Sequence, residues 1–276
     1  MNATENKAAA IAAYRAHPGI NATTLKAART SMLHARHAYR RGYADPTAAM
    51  ELGTAVHAML SCIAGTSPVC GVVRYDGRRA GKEWEAFAAA NASALILPAA
   101  AYDSAVAMHD GARPLLDAVV KSGGAGEFER PIFWTAYGVS CKALPDLIQE
   151  GVLLDIKTTT DIRERTIEAQ AEKMGWWLQL GWYLAAYESD MPKARRPDIY
   201  ILAIESKPPY DSALYRMDDD SIDQGRKEAF ILARRFAACL SAGEFPGIAN
   251  GKTLALTRPE WTQTDSVDLS DINPEE

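Results

Sequence analysis

The chain has 276 residues, an apolar fraction of 48% and a net charge of −5; this length can bury a full core and fits one elaborated domain better than two independent ones. No apolar run approaches a membrane span, and the first twenty residues alternate Ala with polar groups instead of building the apolar centre of a secretion signal. A cytoplasmic location without membrane contact is therefore expected.

The acidic balance is a poor match for a protein that grips nucleic acid, but it is unevenly spread. Residues 259–276 carry six acids and no base, which leaves 30 bases against 29 acids elsewhere, and residues 1–42 carry seven Lys or Arg against Glu5 alone. A locally basic face is compatible with that distribution. The four cysteines, Cys62, Cys70, Cys141 and Cys239, have no metal-ligand spacing and are expected to be buried thiols.

In chain order, residues 4–16 are Ala-rich and helical, and His17-Pro18-Gly19 breaks the pattern. Asn21 caps a second helix that is expected to run to about Arg41, with Arg29, Arg36, Arg40 and Arg41 as candidate phosphate contacts. Asp45-Pro46 opens a helix through residue 60 in which the small Gly53 permits close approach to a neighbour and His57 lies four residues on, on the same side. A short strand at 71–75 and a basic loop holding Arg79 and Lys82 lead to a helix at Trp84. Helices at about 97–109 and 112–121 are separated by Gly111 and Pro114. Strands at 127–134 and 138–146 turn at Tyr137-Gly138, the second delivering Asp146. A long helix covers about 166–187, an apolar strand buried on both sides covers 198–205, and a last amphipathic helix covers about 221–241. The domain is expected to span 1–257, with an N-terminal helical part at 1–70 and a core at about 127–241. The acidic tail 258–276 has little to bury and is expected to be mobile or docked on a partner.

The stretch Cys141 to Asp161 carries the chemistry. It reads as two short strands joined at Gln149-Glu150-Gly151, with Pro145-Asp146 on the first and Asp155-Ile156-Lys157 ending the second. Side chains alternate across a strand, so Asp155 and Lys157 share a face. If the strands pair, Asp146 joins them, giving two carboxylates for a hard divalent cation and one lysine beside it.

Asp-x-Lys alone is common; its weight comes from Gly53-Thr-Ala-Val-His57 upstream, Pro145-Asp146 before it and Gln179-x-x-x-Tyr183 after it. This ordered set resembles the PD-(D/E)xK nuclease superfamily, in particular the exonuclease VIII (RecE)-like branch with relatives in lambda exonuclease and the RecB nuclease domain. The resemblance implies a mixed α/β fold, a central mixed sheet flanked by helices with extra N-terminal helices. It implies Mg²⁺ or Mn²⁺ held by His57, Asp146, Asp155 and the Ile156 carbonyl, with Lys157 positioning and deprotonating the attacking water. Glu129 would assist, with Glu127 as its competitor, and Gln179 and Tyr183 would hold the DNA strand or the geometry of the site. Arg36, Arg40, Arg41, Arg79 and Lys82 are candidate DNA contacts.

The expected activity is 5′→3′ digestion of linear double-stranded DNA, leaving a 3′ single strand for a RecT-like annealing protein. By the same resemblance the enzyme would form a ring-shaped trimer or tetramer and derive from a phage or prophage. Two alternatives stand beside it. One is a Cas4- or AddB-like nuclease with an iron–sulfur cluster, for which the cysteines are badly placed. The other is a non-catalytic module that binds DNA ends and keeps the nuclease fold.

Overall fold

The computed structural model describes residues 3–41, 46–62, 71–123 and 126–257. Helices α1 (Ala3–Ala16), α2 (Ala22–Ala28), α3 (Met32–Arg41) and α4 (Ala48–Leu60) come first, then β1 (Val72–Tyr75), α5 (Lys82–Ala90), β2 (Leu95–Pro98) and α6 (Ala99–Gly123). The strands β3 (Glu127–Phe128), β4 (Ile132–Ala136), β5 (Val139–Ala143), β6 (Leu147–Gln149) and β7 (Val152–Thr159) follow. The chain continues with α7 (Glu164–Lys173), α8 (Trp176–Asp190), β8 (Asp198–Glu205), β9 (Ser212–Arg216) and α9 (Asp219–Ala242).

β7 and β8 are the centre. They pair in parallel from Val152↔Asp198 to Thr159↔Glu205, within a five-stranded mixed sheet of order β3-β6-β7-β8-β9. Both faces are covered, which is why these strands read as nearly continuous apolar runs rather than alternating ones. Leu153, Ile199, Ile201 and Ala203 face a core shared with α2, α8 and α9. Leu154, Ile156, Leu202 and Ile204 face a second core with α4 and α6. The mixed α/β architecture with N-terminal helices is the one expected.

Several boundaries differ from the sequence reading. The helix expected from Asn21 to Arg41 is two: Asn21 does cap α2, its side chain accepting from the Thr24 amide, but Ser31 then starts α3 by accepting from the His34 amide. Thr47, rather than Asp45-Pro46, caps α4. Gly111 and Pro114 do not separate two helices but lie inside α6. Gly111 is small because a Cβ there would stand 2.7 Å from the Tyr210 carbonyl oxygen, so it answers a close approach and not a break.

The strand expected over 127–134 divides at Glu129, whose φ of 51° turns the chain from β3 in the main sheet into β4 of a separate hairpin. The next strand ends at Ala143, so Asp146 enters at the head of β6 rather than the end of β5. The long helix breaks at Gly175, in the left-handed conformation at φ 64°, into α7 and α8. β2 and the edge strand β9 had no separate signal. Cys62 is disulfide-bonded, against the expectation of a thiol, while Cys141 and Cys239 are free. The acidic tail lies outside the described residues.

Candidate active site

The antiparallel β6–β7 pair has Leu147 opposite Leu154; one step further along the ladder, Asp146 faces Asp155. On the other side of β6, Phe128 is opposite Leu147, and the next amide, that of Glu129, donates to the Asp146 carbonyl at 3.0 Å. The Glu129 backbone is thereby joined to that of Asp146, just beyond the ends of β3 and β6. Glu127 is two places away, opposite Ile148, exposed and 3.3 Å from Arg130, so of the two glutamates Glu129 is the one whose backbone adjoins Asp146. A non-glycine residue at positive φ is uncommon and clusters at functional sites.

Asp146 is fixed from two directions. Its Oδ2 accepts from the Ile156 amide at 2.7 Å, and its Oδ1 lies 3.1 Å from His57 Nδ1. In an extended strand the N–H and C=O of one residue point to the same edge, so the Ile156 carbonyl also faces the Asp146 side. His57 reaches Asp146 because α4 presses on β7 at Gly53, where a Cβ would stand 3.3 Å from Thr158 Oγ1.

Asp155 is 2% exposed and receives a bond from Gln179 Nε2 on its Oδ1 at 3.0 Å. Its buried Oδ2 is ion-paired with the Lys157 ammonium, which also lowers the carboxyl against the effect of burial. Lys157 lies over the Trp176 ring at 5.5 Å. Gln179 Nε2 also donates to Tyr183 Oη at 3.0 Å, and Gln179 Oε1 accepts from Lys26 Nζ at 2.5 Å.

The charges are strongly coupled. Burial raises the Asp155 carboxyl above its ordinary range, and the Asp146 charge adds to that against the pull of Lys157. Burial acts the same way on Asp146, but the His57 charge, its hydrogen bond and Lys157 outweigh it and hold Asp146 low. Burial depresses His57, yet Asp146 and Asp155 together raise it. Burial, then the two aspartates, pushes Tyr183 well above its ordinary value, so it stays a neutral phenol. Burial, then the Lys157 charge, lowers Lys26 to about 8.

Among the described residues no three His, Cys, Asp or Glu side chains are grouped so that they could hold a metal ion by themselves. Mg²⁺ does not require such a group, since it is commonly held by one or two carboxylates with water and substrate phosphates completing the shell. The buried Asp155 carboxylate, whose Oδ2 now pairs with Lys157, is the group that fits such an ion. Asp146, the Ile156 carbonyl and His57 are the neighbours able to share it. The free cysteines do not fit a cluster: Cys141 is buried in β5 and Cys239 lies on α9.

The candidate DNA contacts divide. Arg40 and Arg41 are exposed on α3 and, with Leu33, His34, Arg36 and His37, line an open cavity of about 620 Å³. Arg36 lies over the Phe245 ring at 4.8 Å, its Nε buried without a hydrogen-bond partner. Lys82 is exposed at the start of α5. Arg79 is engaged within the fold, donating to the Ile96 carbonyl and lying over Trp84 at 5.6 Å. Arg29 is likewise engaged, forked onto Glu228 at 2.7 and 2.6 Å. Tyr183 points into the carboxylate site rather than to the surface of α8.

Lys26 was not singled out from the sequence. Its only local signal is a position beside the apolar Leu25 and Ala28 on a capped helix, and nothing local announces a partner 153 residues away.

No curated protein matches the chain. Among solved structures, the fold is similar to that of a protein from Eubacterium rectale described as a "Putative exonuclease", at 11% identity and a TM-score of 0.59 over 94% of this chain and 96% of that one. A second structure, of SSO0001, is 16% identical over 69% of this chain and 88% of that one, but its TM-score of 0.28 supports no argument. At such identities the first likeness is one of fold. Among the described residues no helix is long and apolar enough to cross a membrane. The decisive match is to the family described as "PDDEXK-like domain of unknown function (DUF3799)", whose model covers residues 22–254, and the chain belongs to that family.

Proposed function

We propose that the protein is a metal-dependent exonuclease that digests linear double-stranded DNA from the 5′ end and leaves 3′ single strands for annealing. The observation that carries this reading is Asp155: a buried carboxylate with one oxygen held by Gln179, the other paired with the Lys157 ammonium, and Asp146 across the hairpin from it. Such a carboxylate would hold a hard cation, and the adjacent ammonium is placed to orient a water and to stabilise the hydroxide left when that water loses its proton to solvent. Asp146, the Ile156 carbonyl and His57 would share the ion, with Glu129 in support. A bound Mg²⁺ or Mn²⁺ supplies Lewis-acid stabilisation of charge on the phosphate and a more acidic water. Tyr183, kept neutral, retains a hydroxyl proton to donate to a phosphate oxygen.

The exonuclease character, polarity, ring-shaped homo-oligomer, RecT-like partner and phage origin rest on the resemblance of the motifs to RecE-like enzymes. The fold likeness to the Eubacterium rectale protein accords with the first of these. The test is to incubate the pure protein and Mg²⁺ with linear duplexes labelled at either end and with a closed circle. Early loss of the 5′ label with an intact circle is expected. Nicking of the circle indicates an endonuclease, and binding of ends without any cleavage indicates the non-catalytic module.

A further inference from the structure

We infer that Lys26 is a positioning residue of the active site, holding the Gln179 amide, and through it the Asp155 carboxylate, in the orientation that turns Asp155 Oδ2 toward Lys157 and the metal position. The inference rests on the metal-dependent reading of the site. It makes α2, part of the N-terminal helical region, a component of the centre rather than an accessory to DNA binding.

The geometry is a chain of obligate donors and acceptors. An ammonium only donates and an ionised carboxylate only accepts. Gln179, 8% exposed, stands between them, with Oε1 on Lys26 Nζ at 2.5 Å and Nε2 on Asp155 Oδ1 at 3.0 Å. Only one amide orientation satisfies both, and in that orientation Nε2 also reaches Tyr183 Oη. Removing Lys26 leaves a buried amide oxygen without its donor, which then competes by rotating or by drawing in water.

Lys26 is seated for this by the break between α7 and α8. Gly175 lacks a side chain where a Cβ would stand 3.3 Å from Lys26 Cγ, so the stem passes directly over the start of the helix that bears Gln179. The ammonium is mostly buried and lowered to about 8, and it lies within the field of both Lys157 and Asp155. Asp155 attracts this second cation while Lys157 and burial oppose it, and the larger opposing effects hold its pKa low.

The test must separate positioning from charge, because deleting Lys26 also deletes a cation that repels Mn²⁺ and by itself tightens metal binding. A double-mutant cycle does so. Mn²⁺ affinity is measured by calorimetry on the full chain as wild type, Lys26→Met, Gln179→Met and the double variant, with circular dichroism to confirm folding. The through-space charge effect is common to both backgrounds, whereas positioning acts only where Gln179 is present.

The expected result is that Lys26→Met is about tenfold more damaging to Mn²⁺ affinity with Gln179 present than absent, the scale of a hydrogen bond to a charged group, and that Lys26→Arg, which keeps the donor, restores binding. Equal effects in the two backgrounds overturn the inference. If Gln179→Met does not fold, weakening by Lys26→Met alone, against the sign of charge removal, with recovery in Lys26→Arg, supports it, and tightening overturns it. A wild type that shows the coupling but cuts no DNA defeats the exonuclease reading and leaves Lys26 in place. An enzyme that cuts DNA without the coupling defeats the role of Lys26 alone, and a wild type that binds no Mn²⁺ defeats both.

Discussion

Gly181 and Gly225 meet where α8 crosses α9: a Cβ on Gly181 would stand 2.3 Å from the Arg226 amide nitrogen, and one on Gly225 would stand 2.2 Å from the Trp177 carbonyl oxygen. Both obstacles are helix backbone, which cannot step aside as a side-chain end can. Alanine would gain about 1 kcal/mol of helix propensity at either position, but the helices would have to separate. Gly181→Ala and Gly225→Ala are each expected to destabilise the protein by about 3 kcal/mol, the upper end for overpacking, read as a lower urea midpoint. Gly181 lies between Gln179 and Tyr183, so its variant should also weaken Mn²⁺ binding under conditions where it remains folded. Wild-type stability in both variants would show that the crossing is looser than the contact distances state.

The parts of this fold legible in the sequence are those fixed by local pattern. β7 and β8 announce themselves as apolar runs, the β6–β7 hairpin by its Glu150-Gly151 turn, and α9 by its amphipathic stripe. The Asp146, Asp155 and Lys157 grouping follows from strand alternation and one hairpin. What was not legible depends on distant partners. Glu129 splits an extended run because its positive φ turns the chain out of the main sheet after its amide has bonded to Asp146. Gly111 and Gly175, read as a helix break and as helix interior, are instead a close approach to Tyr210 and a left-handed turn over α2. Lys26 and Gln179 are joined only by the packing of α2 on α8.

Lys157 and Asp155 should separate metal binding from chemistry. Lys157→Ala removes the group placed beside the attacking water and leaves the carboxylates, so DNA cleavage is expected to fall by about 10²–10⁴-fold with Mn²⁺ binding retained. Asp155→Asn keeps the side-chain volume but removes the charge, so calorimetric Mn²⁺ binding and cleavage should be lost together. Cleavage at the wild-type rate by either variant would move the reaction away from this site.

The lowered pKa of Lys26 makes a prediction about stability in the metal-free protein. Its folded value, about 8, lies below the 10.5 of an unperturbed lysine. Between those values the unfolded chain binds more protons than the folded one, so stability rises with pH across that window. Below about 8 the full cost of burying the charge is present; above about 10.5 it is gone. Unfolding of wild type and Lys26→Met, compared from pH 7 to pH 10.5, should therefore show the wild type gaining about 3 kcal/mol relative to the variant. A pH-independent difference would place the Lys26 ammonium in water rather than against Gln179.

The arginines of the N-terminal helices should fall into two classes that the sequence alone does not distinguish. Arg29 forks onto Glu228 and joins α2 to α9, with side chains 27% and 36% exposed; Arg29→Ala should cost about 1 kcal/mol of stability, as for a well-aligned surface pair. It should leave the salt dependence of DNA binding unchanged, because its charge is already matched. Arg40 and Arg41 are exposed at the end of α3 beside an open cavity. If the duplex crosses this helix, Arg40→Ala and Arg41→Ala should each reduce the slope of log affinity against log salt by about 0.9, one phosphate contact apiece, with little change in stability. Anisotropy titrations from 50 to 200 mM salt distinguish the two classes. A slope that falls for Arg29→Ala and holds for Arg40→Ala would reverse the assignment and place the DNA on the α2–α9 side of the molecule.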